Sequence, residues 1–290
     1  MKALSNFAIR NIAAVGWTIF LLLIVFVFKS HNHLVGSITL ITLSAIGTYE
    51  LGKIFKHKFD DVDTLIYPLL GAYFPVMSTL EGYFASLEAL KMPMLAVILS
   101  LIFAKQTLVA NKNKMDSTIT RITAMVFALF YPGFFVGYFV KLNTFHHSST
   151  ILAVYLLLIT LNDGMAYYVG RAFGKKTHSQ GIFMVSPNKS LVGFIGGLTA
   201  SMLVALIAYL YLAPKFAPQM FGERGVIYAL AMGLTCGIAS IIGDLFESTL
   251  KRSSDVKDSG DIIPGRGGVL DTIDSLAFVA PIYYLFIYFA

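Results

Sequence analysis

Asp244, Glu247, Ser248 and Lys251 are spaced i, i+3, i+4 and i+7, which places all four on one face of a helix. Asp271 and Asp274 are spaced i, i+3 and share a face in the same way. The segment between these groups carries Arg252, Lys257, Asp258 and Arg266, with glycines at Gly260, Gly265, Gly267 and Gly268. Carboxylates suit Mg2+, a hard cation held by one or two of them together with substrate phosphates. Lys and Arg suit phosphates, and glycine turns let backbone N–H groups approach them. Gly267-Gly268 directly precedes an apolar helical run, and a helix N-terminus favours an anion. The combined chemistry is that of a site for a metal-bound polyphosphate.

A second constellation lies upstream. It reads Asn162-Asp163, then Tyr167, Gly170-Arg171, Gly174-Lys175-Lys176, and after a gap Ser186-Pro187-Asn188-Lys189-Ser190. Lys175 and Lys189 suit a nucleoside triphosphate or a lipid phosphate. Ser-Pro marks a turn before a helix. Gly193, Gly196 and Gly197 lie in an apolar run, where small residues favour close helix contact.

Hydropathy shows what must position these side chains. The chain has 290 residues, 57% hydrophobic and 13% charged, with mean hydropathy +0.73. A soluble domain is about half apolar and about a quarter charged. The excess excludes a disordered chain, a small secreted scaffold and a typical cytosolic enzyme. It predicts an all-α, polytopic integral membrane protein. Runs long enough to span a bilayer fall at 11–28, 34–54, 64–80, 92–106, 119–140, 149–170, 190–212, 225–247 and 268–289, about nine transmembrane helices. The stretch from Leu80 to Met92 is semi-polar and reads as either a lumenal loop or a partly dipped segment. The first run has no small-residue cleavage site after it and reads as a retained helix.

With nine spans, 17 of the 22 Lys and Arg fall on the side that holds the N-terminus, and five on the other. The positive-inside rule makes the richer side, and so the N-terminus, cytoplasmic. Residues 1–150 form an N-terminal transmembrane region of spans one to five. Residues 151–290 form a catalytic transmembrane region of spans six to nine, with cytoplasmic loops 171–190 and 251–267. The net charge of +6 reflects this membrane flanking, and no nucleic-acid partner is expected. The lone Cys236 excludes an internal disulfide and a cysteine-based metal cluster, and reads as a small buried residue. Asp163 lies eight residues before Arg171, and Asp244 seven before Lys251. They therefore sit about 12 and 10 Å below the basic flank. Carboxylates at such depth cost about 2.5–3.5 kcal/mol at a helix centre and usually face a polar cavity or a bound cation.

The ordered series Ser248, Lys251-Arg252, Lys257-Asp258, Pro264-Gly265-Arg266-Gly267-Gly268, Asp271 and Asp274 resembles the phosphatidate cytidylyltransferase (CDP-diacylglycerol synthase) family, without gaps in its spacing. The upstream Asn162-Asp163, Gly170-Arg171-Ala-Phe-Gly-Lys175 and Ser186-Pro187-Asn188-Lys189 stretches also match. Three positions depart from the family pattern. Arg266 stands for its His, Thr272 for its Arg and Val192 for its Glu. The first swap keeps a cation, the second removes one and the third removes a carboxylate.

The resemblance implies a reaction in which the phosphate of phosphatidate attacks the α-phosphorus of CTP. It implies Asp244 and Asp271 as main metal ligands, with Asp274 and Asp163 next in line as ligands or supports. Lys251, Arg252, Lys257, Lys189 and Arg266 become candidates for the CTP and phosphatidate phosphates, with Arg171, Lys175, Gly267 and Gly268 beside them. Ser248 is expected to hydrogen-bond a phosphate or a metal water, and Asp258 either orients Lys257 or binds metal. The expected cofactor is Mg2+, as one or two divalent ions, with a monovalent cation also allowed. Partners are CTP, phosphatidate and membrane lipids, and a homodimer is compatible with the sequence. Glu50, three residues before Lys53, reads as a local ion pair. No transit peptide or ER-retrieval signal is evident, so the expected location is a bacterial cytoplasmic (inner) membrane with the site facing the cytoplasm. Two alternatives stand beside this reading. One is a CTP-dependent polyprenol or phytol kinase, which transfers the terminal phosphate to an alcohol. The other is a cation-coupled transporter using the buried aspartates.

Overall fold

A computed structural model describes residues 6–59, 62–109, 115–263, 265 and 267–290. Pro264 and Arg266, and Lys2, Lys112 and Lys114 of the charge asymmetry, lie outside the described residues. Helical segments follow the apolar runs of the sequence. They are α1 Asn6–Val27, α2 Ser30–Lys58, α3 Tyr67–Glu81, α4 Glu88–Val109, α5 Thr118–Thr144, α6 Ser148–Phe173, α7 Leu191–Phe216, α8 Val226–Ser253 and α9 Leu270–Tyr288. Seven of them are long and apolar enough to cross a membrane among the described residues. α3 has only 15 residues, and the described apolar part of α1 is Val15–Val27. The chain is an all-α polytopic membrane protein. Among the described residues extended pairing is confined to isolated bridges, Gln180 with Ser190 and Ile263 with Gly267.

The semi-polar stretch after Leu80 closes α3 at Glu81, turns through Gly82, and enters α4 by a single 3-10 turn at Ala85–Leu87. α5 widens into a π turn over Leu129–Phe134, which contains Pro132. Proline removes an N–H and crowds the preceding turn, so the helix takes an extra residue there.

The apolar core draws on both sides of residue 150. One cluster joins α1, α2 and α5 through α9, and a second gathers α2, α3 and α5 around Leu270 of α9. Deep tyrosines tie the helices together. The Tyr283 hydroxyl donates to the Ile151 carbonyl at 2.8 Å, and the Tyr155 hydroxyl donates to the Leu276 carbonyl. A buried hydroxyl needs such a partner. Cys236 is fully buried, as a packing residue should be. α6 and α7 meet backbone to backbone. A Cβ on Gly193 would lie 2.6 Å from the Ala166 carbonyl oxygen, and one on Gly197 2.8 Å from that of Asn162. This is the close contact expected of small residues in apolar helices.

The fold brings the start of α9, the ends of α2 and α8, and the residues preceding α7 to one end of the bundle. The end of α3, the first turn of α4 and the end of α5 meet at the opposite end.

Candidate active site

The α8–α9 hairpin builds the centre of the site. One turn of helix separates Glu247 from Lys251, and the Lys251 ammonium sits 2.5 Å from Glu247 Oε2. The same ammonium donates to Asp271 Oδ1 across the hairpin. These side chains are nearly buried, at 12% exposure for Lys251, 1% for Glu247 and 7% for Asp271. Lys251 therefore holds two carboxylates together where α8 ends and α9 begins.

α9 starts with free backbone N–H groups that need acceptors. Glu50 of α2 supplies them from far away in sequence. Its Oε1 accepts from Val269 N at 3.0 Å and its Oε2 from Leu270 N at 2.8 Å. Glu50 is 2% exposed, so it is a capping carboxylate and not the local ion pair with Lys53 that the sequence suggested. Lys53 instead lies over the Tyr49 ring, 4.6 Å from its centroid.

Asp271 reaches back over the same start. Its Oδ2 accepts from Gly268 N at 2.8 Å and from Ser259 N at 2.9 Å, the reach-back geometry of a helix-capping acid. The Ser259 hydroxyl lies 2.9 Å from both Glu50 Oε2 and Asp271 Oδ2. Its single proton serves one carboxylate at a time. Gly268 has to be glycine here, because a Cβ would strike the Ser259 hydroxyl and the Glu50 carboxylate. Gly267 takes φ +97, a backbone conformation that favours glycine. Thr272, standing where the family pattern has Arg, is buried and its hydroxyl donates to the Gly268 carbonyl at 3.2 Å.

A second layer lies beside this hairpin. Lys189, just before α7, pairs with Asp244 Oδ2 at 2.5 Å, and Asp244 is 41% exposed. On α6, Asp163 Oδ1 accepts from the Ser240 hydroxyl at 2.9 Å. Ser240 in turn gives its carbonyl to the Ser275 hydroxyl at 3.1 Å. Asp274 is buried, and Asp244 and Asp163 both lie within electrostatic range of it. From α5, the Tyr131 ring wedges between Phe246 and Phe278, with centroids at 5.1 and 5.9 Å. The Tyr131 hydroxyl is buried with no hydrogen-bond partner among the described residues. Asp274, Glu247, Asp244 and Asp271 all act electrostatically on it.

The structure thus brings Asp163, Lys189, Asp244, Lys251, Asp271 and Asp274 to one region. Ser248 is half-buried one residue beyond Glu247. Arg252 is exposed in the last turn of α8 and donates to the Val256 carbonyl at 3.3 Å, and Lys257 and Asp258 are exposed on the loop that follows. Arg171 is exposed in the last turn of α6 and donates to the Tyr167 hydroxyl at 3.3 Å, and Lys175 is exposed just beyond that helix. Arg266 lies outside the described residues. Glu50, Ser259 and Tyr131 were not expected as site residues. A carboxylate inside the second apolar run was the available signal for Glu50. Ser259 and Tyr131 carry none, since serines in loops and tyrosines in apolar runs are common.

The donor chemistry fits a hard divalent ion. Among the described residues six carboxylates (Glu50, Asp163, Asp244, Glu247, Asp271, Asp274) gather here, and three of them, Asp244, Glu247 and Asp271, pair with the ammonium groups of Lys189 and Lys251. Glu247 Oε1 is buried without a hydrogen-bond partner among the described residues, an oxygen that a cation would satisfy. Among the described residues no three such side chains converge closely enough to hold a metal. The two lysines occupy Asp244 and Asp271 instead.

Comparison with known proteins gives a consistent result. The model of a family described as the cytidylyltransferase family matches residues 9–290. A phosphatidate cytidylyltransferase of Bacillus subtilis (strain 168) is 32% identical over 250 residues, covering 86% of this chain and 87% of its own length. A phosphatidate cytidylyltransferase of Thermotoga maritima is 31% identical over 263 residues, 90% of each chain. A phosphatidate cytidylyltransferase of Chlamydia muridarum is 30% identical over 250 residues, 84% of this chain and 80% of the relative.

Proposed function

The chain belongs to the cytidylyltransferase family, and we propose that it transfers the cytidylyl group of CTP to phosphatidate, giving CDP-diacylglycerol and pyrophosphate. The observation that carries this reading is Lys251 held between Glu247 and Asp271 where two membrane helices begin and end. A phosphate oxygen of phosphatidate bonds to the α-phosphorus of CTP. The bond from that phosphorus to the oxygen bridging to the β-phosphate breaks, and pyrophosphate leaves with its electron pair. The nucleophile is already anionic, so no strong base is needed. The difficulty is the repulsion between two anions, and catalysis by positioning and charge neutralisation addresses it.

Lys189 and Lys251 serve as phosphate-binding cations, with Arg252, Lys257, Arg171, Lys175 and Arg266 toward the cytoplasmic side. Asp244, Asp271 and Asp274 are the residues that would hold Mg2+, with Asp163 and Glu247 beside them. When bound, the ion supplies charge neutralisation for the polyphosphate. The lysines that now occupy Asp244 and Asp271 suit phosphate oxygens equally well, so substrate phosphates compete with those carboxylates for them. Glu50 and Ser259 fix the start of α9 and thereby the height of Asp271. The membrane is a bacterial cytoplasmic membrane, and the site faces the cytoplasm. The concentration of Lys and Arg on that side supports this orientation. A site at the helix ends lets the phosphatidate tails stay in the bilayer while CTP arrives from water.

CTP carrying label on its α-phosphorus tests the reading. With purified protein, phosphatidate and Mg2+, the label is expected in a lipid product, with unlabelled pyrophosphate released. Recovery of the label as CDP, or no labelled lipid, would overturn it.

A further inference from the structure

At the opposite end of the bundle, three charged side chains meet where little charge is expected. Glu81 ends α3, Lys91 lies in the first turn of α4, and Lys141 is near the end of α5. Lys91 sits 2.5 Å from Glu81 Oε1 and Lys141 3.3 Å from Glu81 Oε2. Their exposures are 10% for Glu81, 12% for Lys91 and 24% for Lys141. One carboxylate thus answers two ammonium groups at contact distance, and Glu88 adds its charge to Lys141 from further off. Only five Lys or Arg lie on that side of the chain, and two of them converge here. A partly buried ammonium group that shares its contacting carboxylate is costly next to hydrocarbon.

The two lysines line a cavity of about 240 Å³ whose other walls include Phe74, Phe134, Met92 and Tyr138. Glu88 borders the same cavity but is exposed. α4 buries only 6% of its apolar window, so the cavity lies beside a helix whose apolar surface is largely exposed. Tyr73 ties down the backbone of one lining residue by donating to the Lys91 carbonyl at 2.5 Å. Charge at the helix ends and apolar walls below them match an amphiphile with an anionic head.

We propose that this cavity binds the phosphate headgroup of a membrane phospholipid, in the leaflet opposite the carboxylate site, on Lys91 and Lys141. Its acyl chain lies along the aromatic wall. Lys141→Met tests this cleanly, because it removes one ammonium group and leaves the Glu81–Lys91 pair intact. Delipidated full-length protein is titrated with dioleoyl phosphatidylglycerol, and bound lipids are counted by native mass spectrometry. Lipid held at the carboxylate site is common to both proteins and cancels. Loss of a charge-assisted contact should weaken the additional lipid by about tenfold or more in Lys141→Met, and Lys141→Arg should retain it. Equal occupancy in wild type and Lys141→Met overturns the proposal. Displacement of the lipid by inorganic phosphate alone also overturns it, since the site would then take a free anion. A phospholipid with a photoreactive headgroup gives a readout independent of any variant. Adducts are expected in residues 85–95 or 135–144 of the wild type, and their absence counts against the site.

Discussion

Glu50 and Ser259, 209 residues apart in the chain, meet at 2.9 Å at the start of α9. Through this contact the N-terminal helices, which carry none of the family motifs, hold the motif-bearing hairpin in place. Glu50 accepts from two backbone N–H groups of α9 as well. Replacing it with Gln puts an N–H donor among three donors. Leaving buried donors without an acceptor costs about 1–3 kcal/mol. Glu50→Gln should lower thermal stability by that order and reduce turnover, while Lys53→Gln should change neither. Equal melting temperatures and rates for Glu50→Gln and wild type would remove the cap from the account.

Lys251 is the sole ammonium drawn between Glu247 and Asp271 among the described residues. Breaking a buried pair by removing one partner costs about 3–5 kcal/mol. Lys251→Met should therefore both destabilise the protein and stop turnover. Adding Glu247→Gln removes one stranded carboxylate and should restore part of the stability without restoring the rate. Denaturation curves and pyrophosphate release, measured on the same samples, separate the two effects. Recovered activity in the double variant would show that Lys251 serves only the fold.

Tyr131 brings a buried hydroxyl, without a hydrogen-bond partner among the described residues, to the edge of the carboxylate cluster. Deleting an unsatisfied buried hydroxyl removes a cost rather than a bond. Tyr131→Phe should keep or slightly raise stability. If the hydroxyl donates to a substrate or a metal-bound water, the rate should fall about tenfold, the worth of one hydrogen bond. An unchanged rate with saturating CTP and phosphatidate would assign Tyr131 to packing alone.

Glycine positions give a stability contrast. A Cβ on Gly268 would strike Glu50 and Ser259, whereas one on Gly164 meets nothing within 4 Å. Gly268→Ala should lose activity and stability. Gly164→Ala should fold at least as well as wild type, because alanine is about 1 kcal/mol better than glycine in a helix. Equal behaviour of the two variants would mean that the start of α9 can shift to admit a methyl group.

Hydropathy made the helices legible, because a spanning segment needs a long apolar run and nothing else competes with that signal. Helical spacing likewise put Asp244 and Lys251, and Asp271 and Asp274, on common faces. It could not show that Lys251 pairs across the hairpin with Asp271, since pairing depends on how α8 and α9 cross. Glu50 differs from its sequence expectation for a related reason. Its nearest cation in sequence is Lys53, but its actual partners are backbone N–H groups more than 200 residues later. Tyr131 sits in a run of aromatic residues, where a site-facing tyrosine and a core tyrosine look alike. The grouping of carboxylates was readable, but the lysines that occupy two of them were visible only in three dimensions.

Asp244→Asn offers the most direct test of the central claim, that this carboxylate and lysine cluster performs cytidylyl transfer. Asp244 is 41% exposed and pairs with Lys189, so its replacement should spare the fold. Phosphatidate-dependent pyrophosphate release from CTP, measured with Mg2+ on purified protein, is predicted to be robust in wild type and abolished in Asp244→Asn at an unchanged melting temperature. Near wild-type release by Asp244→Asn would contradict the account.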